Sequence, residues 1–190
     1  MFSSLFQKFP YLKSTLAIIA GVVTLDQLTK YLAKVFLSDL PGNQPYIKIL
    51  GDFFRLTYVE NPGIAFGIRI NNKVFFTLLS LLAIVVVFIY LLQLRDHFVL
   101  RIAFAFILGG AFGNLYDRMV HGKVIDFLDF EFFNIHLPSF KLLFFEFHGY
   151  YMQRWPVFNI ADIAVSLGMI LIILNAIFDR EQPSVTYHES

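Results

Sequence analysis

The sequence of 190 residues contains no cysteine, so it offers no disulfide framework, no thiolate nucleophile and no cysteine-ligated metal. Charge is scarce as well: 15% of the residues are Asp, Glu, Lys or Arg, and fifteen basic side chains against fourteen acidic ones leave a formal net charge of +1. No field of one sign exists to hold a polyanion, and nucleic acid is set aside as a partner. Gly-x-Ser-x-Gly and His-Glu-x-x-His are both missing, which removes the local signatures of a serine hydrolase and of a zinc peptidase. Glu146, His148 and His136 amount to a weak ligand signature on a loop, and no metal or other cofactor is expected. What the chain has in excess is hydrocarbon. It is 57% hydrophobic with 24 phenylalanines, too apolar for a soluble domain of this length, and reads as an integral membrane protein.

Hydropathy marks four helical spans, about residues 12–37, 74–94, 98–116 and 158–178. Val74 to Leu94 carries no charge at all, and at about 1.5 Å per residue it covers roughly the 30 Å of bilayer hydrocarbon. The first span is interrupted by Asp26, Lys30 and Lys34. Lys8 and Lys13 ahead of the apolar run Thr15–Leu25 resemble the start of a secretory signal, but no A-x-A-like site follows and the pattern continues, so a retained helix is expected. The two long connections, about 40–73 and 117–157, contain alternating stretches such as DFFRLTYVE and the aromatic EFFNIHL and KLLFFEFHGYY, read as strands. The expected fold is therefore mainly α, a single membrane-embedded domain of four spans with a small extramembrane β-rich cradle.

An even number of spans puts both termini on one side and gathers both long loops on the other. Asp26, Lys30, Asn61, Asn114, Asp117, Arg118, Asp126, Asn159 and Asp162 all fall at that one face, a clustering that scattered solubilising charges would not produce. Charge counts leave the orientation open: the termini and the short connector hold only Lys8, Lys13, Arg95, Arg101 and Arg180, fewer than the long loops carry.

Each polar motif has a structural reading beside a functional one. Asp26 and Lys30 lie four residues apart on one helical face, suited to an ion pair. Pro62-Gly63 after Asn61 sets a tight turn that exposes backbone groups to an extended peptide. Gly109 and Gly113 make a small-residue face that allows close helix approach. Asn114, Asp117 and Arg118 share one face at the end of the third span. Asn159 and Asp162 fit a helix cap, which by itself accounts for an acid at a helix start but leaves Asp126, alone in the apolar run VIDF, unexplained. Two carboxylates delivered to one dry site cannot both ionise cheaply, so they share a proton and serve as base and acid towards a water and a peptide bond. A small transporter or channel with an intramembrane Asp/Lys relay is the alternative of a different class, and it predicts polar groups spread through the bilayer depth.

DQLTK at 26–30, ENPGIAF at 60–66, GNLYDR with VIDF at 113–127 and FNIAD at 158–162 resemble, in that order, the blocks of lipoprotein signal peptidase (signal peptidase II). The resemblance covers most of the chain. It implies an aspartic peptidase of the bacterial cytoplasmic membrane that cuts signal peptides from prolipoproteins just before the diacylglyceryl-cysteine. Asp126 and Asp162 would form the dyad. Asn61, Gly63, Asn114, Asp117, Arg118, Asn159 and Ala161 would line or support the substrate site, with Asp26 and Lys30 behind it. The resemblance further implies cytoplasmic termini, an active site at the outer leaflet, contact with the lipid bilayer and inhibition by cyclic peptides of the globomycin type. The segment between Asp126 and Asp162 is longer than the resemblance leads one to expect, and its aromatics read as an interfacial belt or lid.

Overall fold

A computed structural model describes residues 11–40, 46–62, 64–65, 68–69, 73–94, 97–132, 135–142, 145–147 and 150–179. Among the described residues the order is α1 (Leu12–Leu37), β1 (Tyr46–Leu50), β2 (Phe54–Asn61), β3 (Ile64–Ala65), β4 (Ile68–Arg69), α2 (Lys73–Gln93), α3 (Phe98–Val120), β5 (Val124–Phe130), β6 (Ile135–Leu137), β7 (Phe140–Leu142), β8 (Phe145–Phe147), β9 (Tyr150–Met152) and α4 (Ile160–Asp179). Leu12–Leu37, Phe98–Val120 and Ile160–Phe178 are long and apolar enough to cross a membrane, while α2 contributes the shorter apolar stretch Thr77–Gln93. The expected mainly helical membrane architecture with a small antiparallel sheet is what the chain adopts.

Two compact units divide the chain: one takes residues up to Asp26, Phe75–Tyr116 and Ile160 onward, the other Gln27–Val74 and Asp117–Asn159. In the first, Ile84 and Leu91 of α2 pack with Leu108 and Leu115 of α3 in a buried cluster that Ile19 of α1 joins. The outward sides are equally apolar. Leu78, Leu82 and Val86 of α2 and Ile170, Ile173 and Ile177 of α4 are exposed, a pattern suited to lipid rather than water. Close approach is set by the glycines of α3: a Cβ on Gly109 would lie 2.7 Å from Val22 Cβ, and one on Gly113 would lie 2.5 Å from Asp26 Oδ2. Val22 and Asp26 are four residues apart on α1, so the Gly109/Gly113 face meets one stripe of that helix.

The second unit is organised by a three-stranded antiparallel sheet in the order β1-β2-β5. Gly51, at φ 55°, provides the left-handed residue in the turn from β1 to β2. Between β2 and β5 the register slips by one residue, since Leu56 pairs with Leu128 but Val59 pairs with Asp126. Thr57 and Tyr58 thus oppose a single partner in a bulge, and every later side chain of β2 is switched to the other face. The switch puts Asn61, opposite Val124, on the face of Asp126. Further on, β6 pairs antiparallel with β9, Ile135 opposite Met152, and β7 pairs antiparallel with β8, Phe140 opposite Phe147, as two two-stranded sheets.

Two boundaries differ by more than one residue from those expected. α3 runs to Val120 rather than Tyr116, because nothing breaks it before His121-Gly122; Gly122, at φ 77°, then turns its N–H back to the Asp117 carbonyl at 3.1 Å. α4 begins at Ile160 rather than Phe158, because Phe158 is claimed by the sheet, where its N–H donates to the Leu128 carbonyl at 3.1 Å and its carbonyl accepts from the Leu128 N–H at 2.8 Å.

Asp117, 1% exposed, ties the end of α3 into the second unit. Its carboxylate pairs with Lys30 Nζ at 2.9 Å and accepts from Gln27 Nε2 at 3.0 Å and from the Ile125 N–H at 3.2 Å. Lys30, itself 1% exposed, therefore serves Asp117 at the entrance to β5. Removing one member of such a buried pair strands the other charge. Lys30→Met should lower unfolding stability in detergent by roughly 3–5 kcal/mol. Adding Asp117→Asn, which keeps an oxygen for the Ile125 N–H, should recover most of it. In the first unit Gly113→Ala should cost about 1–3 kcal/mol by driving a methyl group into Asp26. Gly21→Ala, where a Cβ meets nothing within 4 Å, should be neutral or stabilising. Thermal unfolding of the four variants checks all of these.

Candidate active site

Asp126 lies on β5 between Ile125 and Phe127, and the three are respectively 2%, 5% and 6% exposed. A carboxylate this dry needs hydrogen-bond donors at both oxygens. They are side-chain amides: Asn159 Nδ2 donates to Oδ1 at 2.6 Å and Asn61 Nδ2 to Oδ2 at 3.1 Å. The bulge delivers Asn61, diagonal to Asp126 across the ladder. The Phe158 bridge delivers Asn159 by holding its neighbour against Phe127 and Leu128.

Asp162 stands in the first turn of α4, half-buried. Its Oδ1 accepts from Asn114 Nδ2 of α3 at 2.9 Å. Asn159, at the cap position, donates its amide N–H to Asp126, and the Ala161 N–H donates to Asp26 Oδ1 from α1 at 2.9 Å. Asp26 and Ala161 are both fully buried, so a helix end inside the protein is satisfied by an acid 135 residues away along the chain.

The expected residues meet one another within each unit. Asp126, Asn61 and Asn159 form one set in the second unit, and Lys30 and Asp117 form another there. In the first unit Asn114 holds Asp162, while Asp26 holds Ala161. Arg118 is half-buried in the last turn of α3, and Gly63 lies outside the described residues.

Sequence reasoning passed over Asp129 and Arg154. Asp129, 5% exposed, accepts from Thr57 Oγ1 at 2.8 Å and from Arg154 Nε at 2.6 Å. Arg154 also reaches Glu131 Oε2 and the Asp52 carbonyl, each at 2.7 Å, and so clamps the loop before β2 to the end of β5. Since Thr57 belongs to the bulge, this clamp fixes the feature that presents Asn61. The signal was available: VIDFLDF holds two acids in one apolar run, and Asp129 is as anomalous by composition as Asp126. Gln27, a donor to Asp117, gave no comparable signal.

On the exposed side of the sheet, Lys123 and then Tyr58 hold the Glu60 carboxyl below the usual carboxylate range, and Lys123 Nζ lies 2.7 Å from Glu60 Oε2. Burial and its bond to Glu60 push the Tyr58 hydroxyl up to about 12, so it stays protonated and donates at neutral pH. Glu60 is thus paired outside, leaving the adjacent Asn61 amide as the group turned to Asp126.

Comparison with known proteins fits this arrangement. The profile of the signal peptidase (SPase) II family matches residues 18–178. The lipoprotein signal peptidase of Pelodictyon phaeoclathratiforme is 38% identical over 178 residues, covering 92% of this chain and 98% of that protein. That of Caldanaerobacter subterraneus subsp. tengcongensis is 39% identical over 157 residues, covering 83% and 91%. Among solved structures, a bacterial membrane enzyme determined in meso at 2.3 Å matches in fold with a TM-score of 0.69 at 24% identity, covering 95% of both chains. A second, at 1.9 Å, gives 0.66 at 26% identity, covering 89% of this chain and 96% of that one. With four ordered sequence blocks, a matching fold and a profile match spanning most of its length, the chain belongs to the signal peptidase II family.

Proposed function

We propose that the chain is an aspartic endopeptidase that removes signal peptides from lipid-modified prolipoproteins just before the diacylglyceryl-cysteine, with Asp126 and Asp162 as its catalytic pair and both units serving the one reaction. The observation that carries the reading is the state of Asp126. It is a nearly inaccessible carboxylate in an apolar strand, and both of its oxygens accept neutral amides. Neutral amides hold an acid that must exchange a proton in place without themselves giving or taking one.

In the reaction, the ionised member of the pair takes a proton from water, and the oxygen attacks the carbonyl of the bond to be cut. The protonated member gives its proton to the departing amine, and the pair returns to a single shared proton. Asn61 and Asn159 hold Asp126 in the rotamer that this requires, and Asn114 does the same for Asp162. Asn159 is three residues ahead of Asp162 in the chain, so the residue that orients one acid also begins the helix that carries the other. Asp117 with Lys30 and Asp26 with Ala161 fix the backbone beneath. Arg118 and Gly63 contact substrate.

The enzyme works in the bacterial cytoplasmic membrane with α2 as a fourth span, both termini cytoplasmic and the reactive face at the outer leaflet. There a diacylglyceryl group anchors its cleavage point at the membrane surface. Cyclic peptides of the globomycin type occupy the same face as inhibitors.

Asp126→Asn and Asp162→Asn should each reduce processing of a lipidated precursor by at least roughly 10²–10⁴-fold, the range of general acid–base catalysis, while the variants still insert and unfold cooperatively. Turnover retained in either variant overturns the pair. kcat/KM of the unmodified chain should trace a bell against pH, one limb for each acid; a single limb would leave one of the two without a role in proton transfer.

A further inference from the structure

Next to Asp126 on β5, Phe127 forms part of the wall of a cavity of about 360 Å³ that lies wholly within the second unit. Thr29, Leu32, Ala33 and Phe36 from the end of α1 make one wall; Leu56 and Phe127 from the sheet help to make the other. Only Thr29 among these brings a polar side-chain atom. A polar ligand would leave its water here with almost nothing to replace it, so the lining selects hydrocarbon. The route of entry is also apolar. Leu28, Leu32 and Phe36 form a stripe at successive fourth positions of a membrane-length helix, exposed by 52%, 41% and 64%, and two of the three line the cavity itself. The lipid-facing stripe of α1 thus continues directly into the cavity.

We propose that this cavity receives an acyl chain of the lipid-modified substrate, an inference that rests on the prolipoprotein reading above. A chain arriving from the bilayer passes from one hydrocarbon environment to another, so it gains little affinity. What it gains is position. Held between α1 and the sheet, it fixes the glyceryl-cysteine to which it is bonded relative to the strand residue that precedes Phe127. Its effect falls on kcat more than on KM, as for any group that orients the reacting bond. A free membrane lipid has the same hydrocarbon but no covalent link to the bond being cut, and would bring no such advantage.

The full chain in phosphatidylglycerol vesicles is given the same precursor peptide carrying either dipalmitoyl- or dibutyryl-glyceryl cysteine. The dipalmitoyl form should have the higher kcat by about tenfold, as expected of a lost orienting contact. Ala33→Leu from the helix and Leu56→Trp from the sheet, both filling the cavity, should each bring that ratio toward one. On the unmodified chain, a precursor with a diazirine in its palmitoyl chain should label Phe127 or Ala33, both buried, and a diazirine phospholipid should lose any labelling there once precursor is added. Equal cleavage of the two precursors by the unmodified chain overturns the inference alone, as does phospholipid labelling that precursor does not displace. Failure to cleave either precursor overturns the peptidase reading and the inference together.

Discussion

A carboxylate in an apolar strand is tolerable only when its oxygens are satisfied, and the arrangement of the second unit follows from meeting that requirement for Asp126. Its two donors come from remote segments, Asn61 at the end of β2 and Asn159 ahead of α4. Each is delivered by an irregularity. Without the bulge at Thr57 and Tyr58, Asn61 would point to the opposite face; without the Phe158 bridge, Asn159 would have no fixed relation to β5. The Arg154 clamp on Asp129, Glu131 and the Asp52 carbonyl then braces both, since it touches the loop before β2 and the strand that carries Asp126.

The chain distributes its few cations with evident selectivity. Lys30 goes to Asp117, Arg154 to Asp129 and Glu131, and Lys123 to Glu60. Asp126 and Asp162 receive amides. A cation adjoining a carboxylate favours its ionised form strongly, whereas a neutral amide fixes its orientation with a weaker bias. In the second unit Asp117, Asp129 and Glu60, which brace the fold, meet cations, and Asp126 is held by amides.

In the first unit the constraint is a helix end. α4 starts inside protein, and its early N–H groups need acceptors. Asp26 provides one, and it fits only because position 113 has no side chain: a methyl group there would occupy the place of Asp26 Oδ2. The small-residue face of α3 therefore does more than permit close packing. It admits the acid that secures the helix bearing Asp162.

Much of this was legible in the sequence. Long uncharged runs specify helices and their lipid-facing sides because hydropathy is a local property, and the placement of Asp126, Asn159 and Asp162 in apolar runs marked them as anomalous for the same reason. The Gly109/Gly113 spacing announced a close contact, although not that its partners would be Val22 and Asp26. Asp26 and Lys30, four residues apart on a helix, read as a pair, and the fold also gives them Ala161 and Asp117 to hold, which no local pattern announces. Asn159, whose capping pattern is plain in sequence, likewise gives its amide N–H to Asp126. Sequence determined which groups could not be left bare in a dry interior; tertiary structure decided which partner met each one, because a hydrogen bond is fixed by distance in space, and a bulge or a single bridging residue can change that distance without leaving a mark in the local pattern.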